Sequence, residues 1–328
     1  MEAGVFVDPF GIEAVRWLAE HRSGALTAFF LFWTALGDVA GYVGVVLALH
    51  VAFDKRLALR AAVVVLAAML ANHLAKTLIA NPRPFVADGT HFELWAVPHA
   101  VAVALAQEFS TPSGHAMAAA AFYGFLLAST RDRALRLACV AAILLIGASR
   151  PYLGVHYVED VLLGWAGGLA IVAVAVWRGP AIARAWARLA VWQRLALLLA
   201  TSLALWIATR LFGGAGSEAS AFLVYTGFLT GLLVAHPLEA RRIAFDPRSG
   251  TPAARLARWA LALVLVAGTL LVLGAAARWI APDSSPLADA LRFLRYAAAG
   301  FVTFLGAPLV FERLGLVAPA PPDAAAAR

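Results

Sequence analysis

The sequence predicts an all-α, polytopic membrane helix bundle, a core of about five spans followed by about four C-terminal spans. Of its 328 residues, 62% are hydrophobic and only 14% charged, more apolar surface than a soluble domain of this length can hide. Apolar runs of bilayer-crossing length, about 17–25 residues, recur along the chain and are rich in Ala, Leu and Val. The arginines fall between these runs rather than along one face, as topology requires and as a nucleic-acid footprint does not. The net charge of +7 is therefore assigned to membrane orientation, and no nucleic-acid partner is expected.

Taken in order, residues 10–22 (FGIEAVRWLAEHR) read as an amphipathic helix lying at an interface. The N-terminus lacks the charged-then-apolar order of a cleavable signal peptide, so the first spanning helix is expected to direct insertion. Residues 25–53 form an apolar stretch broken at Gly37-Asp38. At about 1.5 Å per residue it is long for one crossing and short for two. This predicts a short entering or re-entrant helix over 25–36 and a first span over 38–53. The second span, 57–80, stops at Asn81-Pro82-Arg83-Pro84, where two prolines end a helix.

A polar loop over 81–112 follows, and His91, Glu93, Trp95 and His99 in it are read as solvated. Further spans are predicted at 114–130, 134–149 and 159–177. Arg184 and Arg188, with neighbouring tryptophans at helical spacing, mark 178–194 as a second interfacial helix. Four apolar segments complete the bundle, at 195–212, 220–236, 258–280 and 293–311, with no ionisable residue well inside any of them. Gly227 and Gly231, four apart, would let a neighbouring helix approach closely. The C-terminal spans are also where a homo-oligomer would form. The Pro/Ala tail, 317–328, is expected to be disordered. The organisation is thus a core over 1–178, an extension over 179–316 and the tail. The single cysteine, Cys139, allows no intrachain disulfide.

The positive-inside rule orients this arrangement. Most of the 26 basic residues fall on the side of Lys55, Arg131, Arg178, Arg241 and Arg313, which should face the cytoplasm. The loops after residues 80 and 149 then open together on the opposite side. Composition suggests a bacterial inner membrane, with those loops in the periplasm.

Three short segments put polar groups where membrane helices begin or end. They are Lys76-Thr-Leu-Ile-Ala-Asn-Pro-Arg83-Pro84, Pro112-Ser113-Gly114-His115, and Ser149-Arg150-Pro-Tyr-Leu-Gly-Val-His156-Tyr-Val-Glu-Asp160. Lys76, Arg83 and Arg150 are three cations converging from two loops on one face. They repel one another unless an anion lies between them, and the arginine fork suits phosphate. Pro112-Ser113-Gly114 precedes an apolar helix, whose first N–H groups favour an anion. Gly114 permits close backbone approach, and the Ser113 hydroxyl adds a donor. On a helix, His156 and Asp160 share a face, so the carboxylate can hold one ring nitrogen and leave the other free to attack phosphorus. His115, on another helix, can protonate the leaving oxygen.

Together these blocks resemble the three-part signature of the type 2 phosphatidic acid phosphatase (PAP2) superfamily: K-x6-R-P, P-S-G-H and S-R-x5-H-x3-D. The match covers residues 76–160 and lacks no element. The resemblance implies an integral-membrane lipid phosphate or diphosphate phosphatase that works through a phosphohistidine, with no metal and no cofactor. It casts His156 as nucleophile, Asp160 as its orienting carboxylate and His115 as general acid and then base. Lys76, Arg83, Ser113, Gly114 and Arg150 would hold the phosphoryl oxygens. A lipid-to-lipid phosphotransferase using the same site is the alternative, since water or a hydroxyl could meet the phosphohistidine. Taken singly, Lys76 and Arg83 could be snorkelling helix-end cations, and His156–Asp160 a local surface pair. The complete signature outweighs those readings. Asp38 is read as a helix breaker, His73 as a buried hydrogen-bonded histidine, and Glu159 is left outside the site.

Overall fold

A computed structural model describes residues 9–212, 219–282 and 285–317 of the chain. The described residues form helices α1 (Pro9–Glu20), α2 (Gly24–Leu36), α3 (Val39–Ala48), α4 (Lys55–Ile79), α5 (His91–Leu94), α6 (His99–Leu105), α7 (Gly114–Ser129) and α8 (Arg133–Tyr152). They continue as α9 (Val158–Trp177), α10 (Gly179–Arg188), α11 (Val191–Phe212), α12 (Ala219–Arg242), α13 (Pro252–Ile280), α14 (Pro286–Phe301) and α15 (Ala307–Arg313). π-helical turns over Leu49–Phe53 and Val302–Gly306 follow α3 and α14. Among the described residues, seven helices are long and apolar enough to cross a membrane. The pair α2–α3 adds an eighth candidate, bent by 60° at Gly37-Asp38, and α7 is a shorter apolar helix. Outward faces carry Leu, Val and Trp, as at Val264, Leu271 and Val272, where a soluble protein would carry charge. The chain is an integral membrane protein. Most of the tail expected to be disordered, 318–328, lies outside the described residues.

Packing divides the chain into two units. One comprises residues up to Tyr42 with Ala61–Arg188 and the end of α11; the other comprises Val43–Arg60, Leu189–Ile207 and the described residues from Ala219 onward. In the first, α7 is the central helix. Its consecutive alanines, Ala118–Ala121, are buried with Phe122 and Phe125, as expected of a helix that is apolar all round. It is sandwiched between α8 and α9. Close approach to α9 depends on Gly164 and Gly168. A Cβ on Gly164 would lie 2.7 Å from the Ser113 carbonyl oxygen, and one on Gly168 would collide with the Met117 carbonyl. The helix start is capped by Ser113, whose hydroxyl accepts from the Ala116 N–H.

The loop 81–112 differs from the solvated stretch expected. It folds into α5 and α6; Trp95 is buried in an apolar cluster with Phe85, Tyr152, Leu153 and Val155, and His91 is buried against the Trp95 ring, while Glu93 and His99 are exposed as expected. Trp95 Nε1 donates to the Pro84 carbonyl at 3.1 Å, and the Ala96 N–H donates to the Leu153 carbonyl at 2.9 Å. An indole that buries its apolar area while satisfying its one polar atom is stable inside, and these two bonds pin the first signature loop to the third.

The second unit has its own core around Leu47, Val51, Phe304 and Phe311. Its helices run longer than the apolar runs suggest, because buried polar partners let them continue. Glu239 in α12 accepts from Lys55 at 2.5 Å, and Asp289 in α14 accepts from Trp206 Nε1 at 2.9 Å. Arg258 in α13 is fully buried, with Nη2 donating to the Pro247 and Ser249 carbonyls. These three residues lie at or beyond the ends of the apolar runs 220–236, 258–280 and 293–311, in the parts of α12, α13 and α14 by which the helices exceed those runs. The Gly227/Gly231 face is already used within the chain: a Cβ on Gly227 would lie 2.6 Å from the Phe293 carbonyl of α14, and Gly231 meets the Ala297 carbonyl likewise.

Candidate active site

The three signature segments come together in the first unit at the ends of α4, α7, α8 and α9. Asp160 sits in the first turn of α9 and is 1% exposed. It is the hub of the site. Ser110 Oγ donates to its Oδ2 at 2.5 Å, Thr111 Oγ1 to its Oδ1 at 2.5 Å, and the Tyr157 N–H to Oδ2 at 2.9 Å. A buried carboxylate needs such donors to remain charged. Asn81 extends the chain, donating to Thr111 Oγ1 at 2.9 Å, while its carbonyl accepts from the Ser110 N–H at 2.7 Å.

His156 lies in the loop before α9, not on the helix as its spacing from Asp160 suggests. The pair forms because Asp160 folds back over the helix start, where it also caps the Tyr157 N–H. His156 Nδ1 is 3.1 Å from Asp160 Oδ2, and Nε2 is 3.0 Å from Arg83 Nη1. A carboxylate accepts and a guanidinium only donates, so Nδ1 carries the proton and Nε2 carries a lone pair. Burial pushes the His156 ring well below its ordinary pKa, and the charges of Arg83, Arg150 and Lys76 push it further down. The imidazole is neutral, with one nitrogen directed at a cationic group.

Arg83 is held by the Val155 carbonyl at 3.0 Å and by Glu108 Oε2 at 2.8 Å. Lys76 Nζ is 3.5 Å from the same Glu108 oxygen. Burial disfavours charge on Glu108, but Lys76 and Arg83 outweigh it and hold the carboxyl below its ordinary pKa. One carboxylate thus bridges two cations. Arg150, at the end of α8, hydrogen-bonds Thr34 Oγ1 through Nη1. The Nε groups of Arg83 and Arg150 are buried without an acceptor. Two buried guanidinium donors lacking partners are costly unless an anion is to be bound.

Ser113 is fully buried. Its N–H donates to the Asp160 carbonyl at 2.9 Å, which ties the start of α7 to the start of α9. Gly114 lies against Asn72, where a Cβ would come within 3.0 Å of the amide oxygen. Asn72 in turn donates to the Pro112 carbonyl at 3.0 Å. His115 Nε2 is 2.9 Å from Asp38 Oδ1, and its ring is within electrostatic range of Arg150 and Arg83. All eight residues singled out from sequence are therefore in or beside one cluster. The reading from sequence missed Ser110, Thr111, Asn72, Asn81 and Glu108. The polarity of the loop between the first two blocks hinted at Glu108, Ser110 and Thr111, Asn81 was visible only as part of the helix stop, and nothing pointed to Asn72 within α4. Among the described residues, no group of three or more His, Cys, Asp or Glu side chains is arranged to hold a metal ion.

Residues 57–184 match the PAP2 superfamily, and residues 223–320 match the PAP2 superfamily phosphatase transmembrane extension. The chain is 31% identical over 153 residues to Undecaprenyl-diphosphatase BcrC of Bacillus subtilis (strain 168), covering 46% of this chain and 72% of that protein. It is 32% identical over 154 residues to Sphingosine-1-phosphate phosphatase 2 of Mus musculus, covering 45% of this chain and only 40% of the mouse protein. The crystal structure of Aquifex aeolicus LpxE aligns with 53% of this chain and 98% of its own, at a TM-score of 0.43 and 19% identity. With the signature assembled in one buried cluster and two stretches matched to the same group, the chain belongs to the PAP2 superfamily.

Proposed function

We propose that the protein hydrolyses the phosphate monoester or diphosphate of a membrane lipid through a phosphohistidine at His156, without a metal. The observation that carries this is the setting of His156: Nδ1 on Asp160, Nε2 beside Arg83, and two buried guanidinium N–H groups without an acceptor. In the first step Nε2 attacks phosphorus, the P–O bond to the lipid breaks, and His115 delivers a proton to the departing oxygen. In the second, a water attacks the phosphohistidine, the N–P bond breaks, and His115 takes the water's proton. Lys76, Arg83, Arg150 and the start of α7, with Ser113 and Gly114, hold the three equatorial oxygens as charge builds. Glu108 must leave Arg83 and Lys76 when the phosphate arrives.

We assign the chemistry to 1–178 and treat 179–316 as a transmembrane extension. The excess of arginine on the opposite side supports an active site facing the periplasm of a bacterial inner membrane. Since the Gly227/Gly231 face is filled by α14, a homo-oligomer would use another surface of the extension.

The test is phosphate release from phosphatidic acid, phosphatidylglycerophosphate, a sphingoid-base phosphate and undecaprenyl diphosphate, each offered alone and with EDTA. Release from at least one, unaffected by chelation, is the expected result. Release only when a second lipid is added as acceptor would establish the phosphotransferase instead, and loss with EDTA reversed by a divalent ion would remove the metal-free step. Vanadate should inhibit by filling the same cradle. Glu108→Gln should bind vanadate roughly 3- to 10-fold more tightly, because a competing charge worth about 1 kcal/mol at a part-exposed site is gone. Weaker vanadate binding in that variant would mean that Glu108 organises the cations rather than competing for them.

A further inference from the structure

The break between α2 and α3 lies outside the PAP2-matched stretch, which begins at residue 57, yet it touches two of the signature residues. Thr34 Oγ1 accepts from Arg150 Nη1. Gly37 packs on the His115 ring, where a Cβ would come within 3.1 Å of Cδ2 and would collide with Ile146. Asp38 Oδ1 is 2.9 Å from His115 Nε2. The segment is anchored from behind: Arg22 donates to the Tyr152 carbonyl at 2.8 Å and the Leu94 carbonyl at 2.6 Å, and the Tyr152 hydroxyl is 3.3 Å from Thr27 Oγ1. The 60° bend is what brings a carboxylate to the end of α7.

We propose that Asp38 is the positioning residue for His115, a second carboxylate–imidazole pair that mirrors Asp160–His156. The proposal rests on the reading of His115 as general acid and base. In His156 the carboxylate holds Nδ1 and frees Nε2; in His115 it holds Nε2 and frees Nδ1. Asp38 keeps the Nε2 proton throughout. The Nδ1 proton passes to the lipid oxygen as the P–O bond breaks, and the proton of the attacking water returns to Nδ1 as the N–P bond breaks. An ionised partner both fixes the ring and favours its protonated form at the moment the leaving oxygen needs a proton. Asp38 is itself exposed, so it can be replaced without opening the core.

Leaving-group dependence separates this role from a structural one. Asp38→Asn, Asp38→Glu, His115→Ala and the double variant Asp38→Asn/His115→Ala are compared on an alkyl phosphate, whose alkoxide needs a proton, and on p-nitrophenyl phosphate, whose phenolate does not. Vanadate inhibition serves as the check that the cradle is assembled. Asp38→Asn should lower the single-turnover rate of leaving-group release, which isolates the first step, on the order of 10²-fold for the alkyl ester with half-saturation little changed, and by less than about 3-fold for the nitrophenyl ester. Asp38→Glu should recover most of the loss, and the double variant should be no slower than His115→Ala. If His115→Ala shows the selective loss and Asp38→Asn does not, or if the two losses multiply, the role of Asp38 is overturned. If His115→Ala itself loses both substrates equally, the general-acid reading beneath the proposal fails, and the proposal with it. Should Asp38→Asn lose vanadate inhibition, Asp38→Glu decides: a restored cradle with full selectivity supports pairing, and a restored cradle with the alkyl ester still slow overturns it.

Discussion

His156→Ala should abolish phosphate release, with turnover down by about 10⁴–10⁶-fold, the range seen when an enzyme's nucleophile is removed. The protein should still extract and unfold as wild type, because the ring's loss leaves Arg83 on the Val155 carbonyl and Asp160 with its three other donors. Asp160→Asn is a different kind of lesion. The amide can still accept at one oxygen, but it presents N–H to a site built from donors, so Ser110, Thr111 and Tyr157 compete for one acceptor. Turnover should fall about 10²–10⁴-fold, as when a triad carboxylate becomes an amide, and stability should fall by about 1–3 kcal/mol from donors left unpaired. Melting in detergent together with single-turnover phosphate release measures both. A His156→Ala protein retaining more than a few per cent of wild-type turnover would remove the nucleophile assignment.

The second large effect comes from a residue with no functional group. Gly164 lets α9 approach the capped start of α7, with room for no Cβ beside the Ser113 carbonyl oxygen. Gly164→Ala must push the two helix starts apart, at a cost of about 1–3 kcal/mol for overpacking, and Gly164→Leu should prevent stable assembly. Because the contact is at Ser113, the displacement separates Ser113 and His115 from His156 and Asp160. Activity of the folded Gly164→Ala fraction should therefore drop about 10²-fold, the loss that ~1 Å misplacement produces. Gly268→Ala is the matched control: nothing lies within 4 Å of a Cβ there, and helix propensity alone should make it neutral or slightly stabilising. Equal activity in Gly164→Ala and Gly268→Ala would show that the α7–α9 contact does not set the site.

Much of this was legible in the sequence because it depends on local pattern. Bilayer-length apolar runs, the Gly37-Asp38 break and the Asn81-Pro82 stop are visible in single segments, and the structure has helices ending at those places. The signature residues could be named because each stands at a helix end in an otherwise apolar chain. What stayed hidden depends on long-range pairing. Ser110 and Thr111 look like any loop residues until Asp160, some fifty positions on, is seen to accept from both. Glu108 reads as a solvated carboxylate until Arg83 and Lys76 close on it. His91 and Trp95 carry loop-like neighbours, yet the first and third signature loops bury them between each other. Glu239 and Asp289 lie beyond the apolar runs, and nothing near them in sequence points to their partners, Lys55 and Trp206. Asp38 was legible as a break and not as a partner, since nothing in its own segment points to His115.

A nucleophilic His156 is joined covalently to phosphorus through Nε2 during turnover, and that bond can be trapped. A lipid substrate carrying radiolabelled phosphate is mixed with enzyme and quenched within milliseconds, and the peptide spanning 151–177 is isolated. The account predicts label on His156 that is stable to alkali and lost in acid. With labelled p-nitrophenyl phosphate, whose phenolate needs no acid, it should accumulate in His115→Ala, where the water that releases it lacks a base, and it should be absent in His156→Ala with either substrate. Label on another residue, or rapid phosphate release from a His156→Ala protein with no labelled peptide at any time, would contradict it.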